Sequence, residues 1–295
     1  MPRLSGVVAN MNIQWYPGHM AKTRRMIQEN LKLVDMVIEL VDSRLPLSSR
    51  NPDIDNILGS KPRLLIMNKC DLADPAVNAA WVQWFHDNGI NILLVDSITG
   101  KGFNDIHNVS RQILKEKIEK EKSKGIVNRA IKLMVVGIPN VGKSSFINKF
   151  AGKASAKTGD RPGVTRGKQW IRLKNGYELL DTPGILWPKF EDPEVGKKLA
   201  YTGAIKDEII DIEELTCSLL EFLRDYYPEK LKARYKLDNI AELKGFELLQ
   251  NIGKNRGCIV AGGDVDTFRT AGIILDEFRG AKIGNISLEK PEGLC

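Results

Sequence analysis

Between residues 36 and 181, short apolar runs alternate with stretches whose apolar residues recur every three or four positions. The runs at 36–41, 64–67, 90–95, 131–136 and 177–180 have the length and composition of strands in a largely buried sheet. The first of them carries a single charge, Glu39. Helical patterns lie between them at 54–58, 76–86, 103–122 and 145–150. This alternation predicts βαβ units and a doubly wound α/β domain with a mainly parallel sheet. Such sheets bind ligands beyond the C-terminal ends of their strands.

The flanks differ. An irregular arm turning at Pro17-Gly18 leads into a helical pattern over 20–34, with Met26, Ile27, Leu31 and Val34 on one face. Lys22, Arg24, Arg25 and Lys32 lie on the other, as a solvated face or a contact surface. After residue 204 the strand signals fade. Helical patterns occupy 213–227, 229–235, 240–252 and 265–278. The chain therefore divides into an arm and helix (1–35), an α/β domain (36–204) and a C-terminal helical domain (205–295).

Three sites follow strands. Gly137-Ile138-Pro139-Asn140-Val141-Gly142-Lys143-Ser144 fits the phosphate-loop pattern in its strand–loop–helix setting. Its glycines let backbone N–H groups approach phosphate oxygens, and the following helix adds its positive dipole end. Lys143 supplies a cation for the terminal phosphates and Ser144 a hydroxyl for Mg²⁺. Asn140, Val141, Gly142, Lys143, Ser144 and Ser145 are nucleotide-binding candidates. Asn68-Lys69-Cys70-Asp71 is an N-K-x-D sequence. Asp71 can accept from two guanine N–H groups, a donor pair that adenine lacks. Lys69 lies along the base and Asn68 braces the loop. Asp181-Thr182-Pro183-Gly184 reads as DxxG, with Asp181 reaching Mg²⁺ through water and Gly184 meeting the γ-phosphate. Thr165, in Pro162-Gly163-Val164-Thr165-Arg166-Gly167, is the candidate switch threonine on Mg²⁺. Ser97 marks a base loop after the 90–95 strand.

The order is rearranged: NKCD and the Ser97 loop precede the phosphate loop, whereas in Ras-like GTPases they follow it. The chain thus resembles the circularly permuted GTPases. Trp15-Tyr16-Pro17-Gly18-His19-Met20, Asp42-Ser43-Arg44-Leu45-Pro46, NKCD, GIPNVGKSS, PGVTRG and DTPGIL occur in the order of the ribosome biogenesis GTPase A family. The resemblance spans nearly the whole chain. It implies a circularly permuted Ras-like P-loop GTPase domain, with the 103–122 helix returning the chain from the last strand of the standard order to the first. It also implies GTP hydrolysis, slow alone and stimulated by the ribosome, and late maturation of the bacterial large ribosomal subunit precursor through its rRNA. Lys143, Thr165 and Gly184 join His19 as catalytic candidates. Ile185 and Leu186, which follow DxxG, cannot hydrogen-bond a water, and the resemblance, through Pro17-Gly18-His19-Met20, implies that His19 orients it; the alternatives are a His satisfied within the arm or touching RNA. Asn140 either braces its loop or helps hold K⁺ beside the phosphates.

Composition narrows the classes. The chain has 295 residues, 42% of them hydrophobic, and a net charge of +7, which suits an anionic partner. Segment 153–174 holds seven Lys or Arg against Asp160, and 230–256 holds seven against three acids, with Tyr226, Tyr227 and Tyr235 nearby. Aromatics beside cations suit RNA; a solvated basic face is the alternative. No run of ~18 apolar residues predicts a membrane span. The first ten residues lack a signal-peptide core, and Met11 offers a second start. The four cysteines show no paired spacing, as in a reduced, cytoplasmic protein, and no metal-spaced Cys or His set is visible. A monomer is expected. An RNA-modifying enzyme lacks a catalytic cluster here, and Asp71 argues against an ATP-driven kinase.

Overall fold

The computed structural model describes residues 25, 27–126, 129–152, 169–173, 176–181 and 192–291. Six strands form one sheet: β1 (Met36–Asp42), β2 (Arg63–Asn68), β3 (Ile92–Val95), β4 (Ile131–Gly137), β5 (Gln169–Arg172) and β6 (Tyr177–Asp181). The spatial order is β3-β2-β1-β4-β6-β5, parallel throughout except for β5, which pairs antiparallel with β6 at one edge. The phosphate-loop strand β4 is fourth in the chain yet central in the sheet, as a permuted GTPase domain requires.

Alternate residues of each strand feed opposite faces. Ile38 and Leu40 of β1 join Leu133 and Val135 of β4 on one face, where Phe146 and Ile147 of α5 (Lys143–Ala151) pack. Val37, Met134, Val136 and Leu180 point the other way, against Ile27 and α1 (Ile54–Leu58). Val41, Leu65 and Met67 meet Val77, Trp81 and Phe85 of α2 (Pro75–Asp87). Asp74 caps α2 by accepting from the Ala76 and Val77 N–H groups, and Pro75 opens it without wasting a donor.

The helix expected over 103–122 is two: α3 (Phe103–Ile113) and α4 (Lys115–Ser123). Their hydrogen bonds continue across the break, from Leu114 N to Ser110 O (3.1 Å) and from Ile118 N to Leu114 O (2.9 Å). Leu114 is buried, whereas α4 has no buried residue, so the kink keeps one apolar anchor in the core while the charged end runs along the surface.

α6 (Pro193–Tyr201) leads to the C-terminal helices α7 (Ile212–Tyr226), α8 (Pro228–Tyr235), α9 (Gly245–Asn255) and α10 (Thr267–Arg279). α7 buries Leu215, Leu219, Leu220 and Leu223 against α9 and α10. The helix expected over 240–252 starts five residues later. Glu221 accepts from the Gly245 N–H (2.8 Å), and a Cβ at Gly245 would fall 2.3 Å from Cys217 O, so α9 begins where it touches α7. The buried core runs without a gap from the sheet into these helices.

Glu39 is the exception in β1. It is 2% exposed and bonds Arg50 Nε at 2.9 Å, with Arg63 Nη1 at 3.2 Å. Arg50→Met removes that bond and leaves Arg63 as the cation beside Glu39, so it should cost about 1.5–3 kcal/mol in chemical denaturation, the contribution of a hydrogen bond to a charged group. The Arg50→Met/Glu39→Met double variant should recover most of that loss. A double variant no more stable than the single one would show that the pair is not what holds this region.

Candidate nucleotide-binding site

β1, β2, β3 and β4 end at one edge of the sheet, where Asp42 lies opposite Asn68, Asn68 opposite Val95, and Leu40 opposite Gly137. The phosphate loop leaves β4 there. A Cβ at Gly137 would sit 2.6 Å from Leu40 O, and one at Gly142 (φ +93°) 2.4 Å from Asn68 Nδ2, so both positions need glycine. α5 then starts at Lys143, and its first helical bond runs from Phe146 N to Gly142 O (2.9 Å). The helix offers no acceptor to the N–H groups of Lys143, Ser144 and Ser145, the arrangement that receives an anion. Lys143 is buried, its Nζ donating to Gly137 O (3.1 Å) and Ile138 O (2.7 Å).

The base loop is tied directly to the phosphate loop. Asn68 Nδ2 donates to Val141 O (2.8 Å) while Asn68 Oδ1 accepts from Ser97 Oγ (2.7 Å). Lys69, at φ +59°, donates from Nζ to Asn140 O (2.5 Å). One side chain thus joins three loops, and the expected bracing role of Asn68 has a geometry. Ser97 is buried. Asp71 stands exposed at the mouth; partial burial, with Asp96 nearby, pushes its carboxyl above the ordinary Asp value.

Asp42 and Arg44 belong to the same assembly, although neither was a site candidate. Arg44 grips Asp42 with two bonds (2.9 and 2.8 Å), and Lys69 Nζ lies 3.2 Å from Asp42 Oδ2. Burial opposes the Asp42 charge, but Arg44 and Lys69 outweigh it and hold the carboxyl well below the ordinary range. Burial lowers the Lys69 pKa, with Asp42 pulling the other way. The place of Asp42 and Arg44 in the Asp42-Ser43-Arg44-Leu45-Pro46 motif, at the end of an apolar strand, was the available signal.

The other candidates divide. Asn140, at φ +58°, donates from Nδ2 to Gly203 O (2.7 Å), so the phosphate loop touches the turn that leads to the C-terminal helices. Arg279 of α10 holds that turn through Tyr201 O (3.0 Å) and Asp207 (2.7 Å). Asp181 ends β6 opposite Val135, beside the phosphate-loop strand. His19, Thr165 and Gly184 lie outside the described residues. Hydroxyl and carboxylate oxygens such as those of Ser144 and Asp181 are the hard donors Mg²⁺ takes. In the helical region Tyr235 is buried and Tyr227 half-buried, leaving Tyr226 exposed; Arg234 and Arg256 both clamp Glu277 at 2.6 Å.

A family model described as 50S ribosome-binding GTPase matches residues 132–252. Ribosome biogenesis GTPase A of Bacillus licheniformis is 53% identical over 284 residues, covering 96% of this chain and all of that one. The chain belongs to the ribosome biogenesis GTPase A family. Solved structures agree: GDP-bound YlqF superposes with a TM-score of 0.66 at 27% identity over 91% of this chain and all of that one. GNP-bound YlqF from T. maritima gives 0.62 at 27% identity, covering 92% of this chain and all of that one. As a ribosome biogenesis GTPase A the chain is a GTP-hydrolysing enzyme of ribosome assembly, with the circularly permuted fold that its motif order led one to expect. No helix among the described residues is long and apolar enough to cross a membrane.

Proposed function

We propose that this protein binds GTP across the sheet edge and hydrolyses it to promote late maturation of the bacterial large ribosomal subunit precursor. The observation that carries the reading is the pair of bonds from Asn68 to Val141 O and from Lys69 to Asn140 O. They fix the base loop against the phosphate loop, so one nucleotide can span both. Asp71 takes guanine, Ser97 closes the base loop, and the Val141–Ser145 loop and helix start hold phosphate. Lys143 leaves its carbonyls to meet the terminal phosphate, Thr165 and Gly184 face the γ-phosphate, and His19 orients the water. Ser144, Thr165 and Asp181 would hold Mg²⁺, which neutralises phosphate charge. K⁺ at Asn140 Oδ1 would add positive charge there. The protein acts as a cytoplasmic monomer. It is built of the 36–204 GTPase domain, the arm at 1–35 and an rRNA-binding helical domain at 205–295, whose affinity is set by the nucleotide through the segment after Gly184.

One experiment tests this: turnover of GTP and ATP in KCl and in NaCl, with and without purified large subunits, alongside subunit binding. GTP should exceed ATP by about 100-fold or more, KCl should exceed NaCl, and subunits should stimulate. A non-hydrolysable GTP analogue should bind subunits more tightly than GDP, with binding falling steeply in salt. Equal turnover of GTP and ATP would remove Asp71 from base choice. Turnover and binding indifferent to subunits would remove the ribosome as the partner.

A further inference from the structure

Residues 283–289 follow α10 and lie between the C-terminal helices and the α/β domain. They run back across the face of the α/β domain, with Ile283, Ile286, Ser287 and Leu288 buried. Ile286 N donates to Leu72 O (3.1 Å), Asn285 Nδ2 donates to Asp71 O, and Ser287 Oγ accepts from Asp74 N (3.1 Å). Farther along, Leu288 N donates to Arg44 O (2.6 Å) and Trp81 Nε1 donates to Glu289 O (3.2 Å). The Glu289 carboxylate accepts from Leu47 N (2.9 Å). From the opposite side α8 and its approach grip the same segment. Tyr227 OH donates to Ser287 O (2.9 Å) and accepts from Ser287 N (3.1 Å), and Lys230 Nζ donates to Asn285 O. Gly284, at φ +126°, passes so close that a Cβ would meet Lys230 Cδ at 3.0 Å.

The base loop is therefore held in two halves. Asn68 and Lys69 are fixed by the phosphate loop, and Cys70 by the Val95 carbonyl (3.2 Å). The carbonyls of Asp71 and Leu72 are taken by the C-terminal segment. We propose that 283–289 is a strap that positions the base loop, with Asn285 a positioning residue for Asp71, so that a shift of α8 is felt at the purine end of the site. The inference rests on the reading of Asp71 as the guanine acceptor. It supplies a route from the C-terminal helices to the nucleotide that does not pass through the residues after Gly184.

The test is release of a fluorescent GDP from Asn285→Ala and Tyr227→Phe, with KM and kcat for GTP. Asn285→Ala removes one hydrogen bond of the strap and Tyr227→Phe the two made by its hydroxyl, from opposite sides. Each should speed release by about five- to tenfold and raise KM, while kcat at saturating GTP stays within about twofold. Asn285 holds a backbone carbonyl, so Asn285→Ala should also speed xanthosine diphosphate release from an Asp71→Asn background by a similar factor. Parent-like release from both strap variants, with Asp71→Asn still exchanging guanine for xanthine, would overturn the strap and leave Asp71 in place. An Asp71→Asn protein that does not change base would instead sink the Asp71 reading. Should Asn285→Ala fail to fold, Tyr227→Phe, which loses a single oxygen, carries the decision.

Discussion

Asp71→Asn should convert this enzyme from a guanine to a xanthine nucleotide enzyme. In the proposed site the carboxylate would accept from two guanine N–H groups, and hydrogen bonds to a charged group contribute about 1.5–3 kcal/mol each. The amide keeps one acceptor oxygen but sets an N–H donor against the other guanine N–H, so GTP should weaken by about a hundredfold, the factor that about 3 kcal/mol represents. The new amide donates to the 2-oxo group of xanthine, so the xanthine nucleotide recovers affinity that GTP loses. The loop should survive the change, since Asp71 is exposed and the strap bonds its backbone rather than its carboxylate. A pH dependence accompanies it. Partial burial raises the Asp71 pKa. A protonated carboxyl has lost one acceptor, so GTP affinity in the parent falls on acidification, beginning at a higher pH than for an ordinary Asp. In Asp71→Asn that acid limb should disappear. Titration of both nucleotides against both proteins checks the two claims together; unchanged GTP affinity in the variant removes Asp71 from the site.

How much of this was legible depends on distance along the chain. The phosphate loop, NKCD and the strands that carry them were readable because each motif is local and sits after an apolar run. That they meet was expected from their shared sheet edge. The atoms that join them were not. Asn68 reaches Val141 across the end of β1, and no spacing in the sequence encodes that bond. Asp42 and Arg44 were visible in the Asp42-Ser43-Arg44-Leu45-Pro46 motif at the end of an apolar strand, but their support of Lys69 needs the neighbouring loop in place. β5 went unread because four residues, Gln169–Arg172, are too few for a period. α6 had a signal that was passed over: Asp192 followed by Pro193, a cap and a first-turn proline.

The C-terminal half shows the opposite limit. Its helices followed from their periodicity, but the strap did not. Gly284, Asn285 and Ser287 read as ordinary loop residues, and Ile283, Ile286 and Leu288 fit neither a helical nor a strand period. Their order comes from two surfaces, one at Leu72 and Asp74, more than two hundred positions away, and one at Tyr227, 60 positions away. The aromatic and basic pattern at 226–256 was likewise half absorbed by packing. Tyr235 entered the core, Tyr227 went to the strap, and two arginines went to Glu277. What remains open to the proposed RNA contact is Tyr226, 65% exposed, and the exposed Lys236, Lys244 and Lys254.

His19→Ala should abolish most ribosome-stimulated turnover while leaving nucleotide and subunit binding intact. A positioned acid–base group contributes about 10²–10⁴-fold. Turnover with large subunits should therefore fall by at least about 100-fold. The case rests partly on elimination. The residues after DxxG are Ile185 and Leu186, whose side chains cannot orient a water. Of the three histidines, His86 lies in the last turn of α2, the helix that leaves the base loop at Pro75 and runs away from it for 13 residues. His107 bonds Tyr177 OH (2.9 Å) at the start of β6, the end of the strand opposite Asp181. Four residues of strand separate those ends by about 13 Å, too far for a hydrogen bond to a water in line with the γ-phosphate. His19, which lies outside the described residues, is the imidazole that remains. Accepting a hydrogen bond from the water requires the neutral imidazole, so stimulated turnover should decline on acidification. His19→Ala should flatten that decline. Full stimulated turnover in the variant, with an unchanged acid limb, would place the water-orienting group on the ribosome instead.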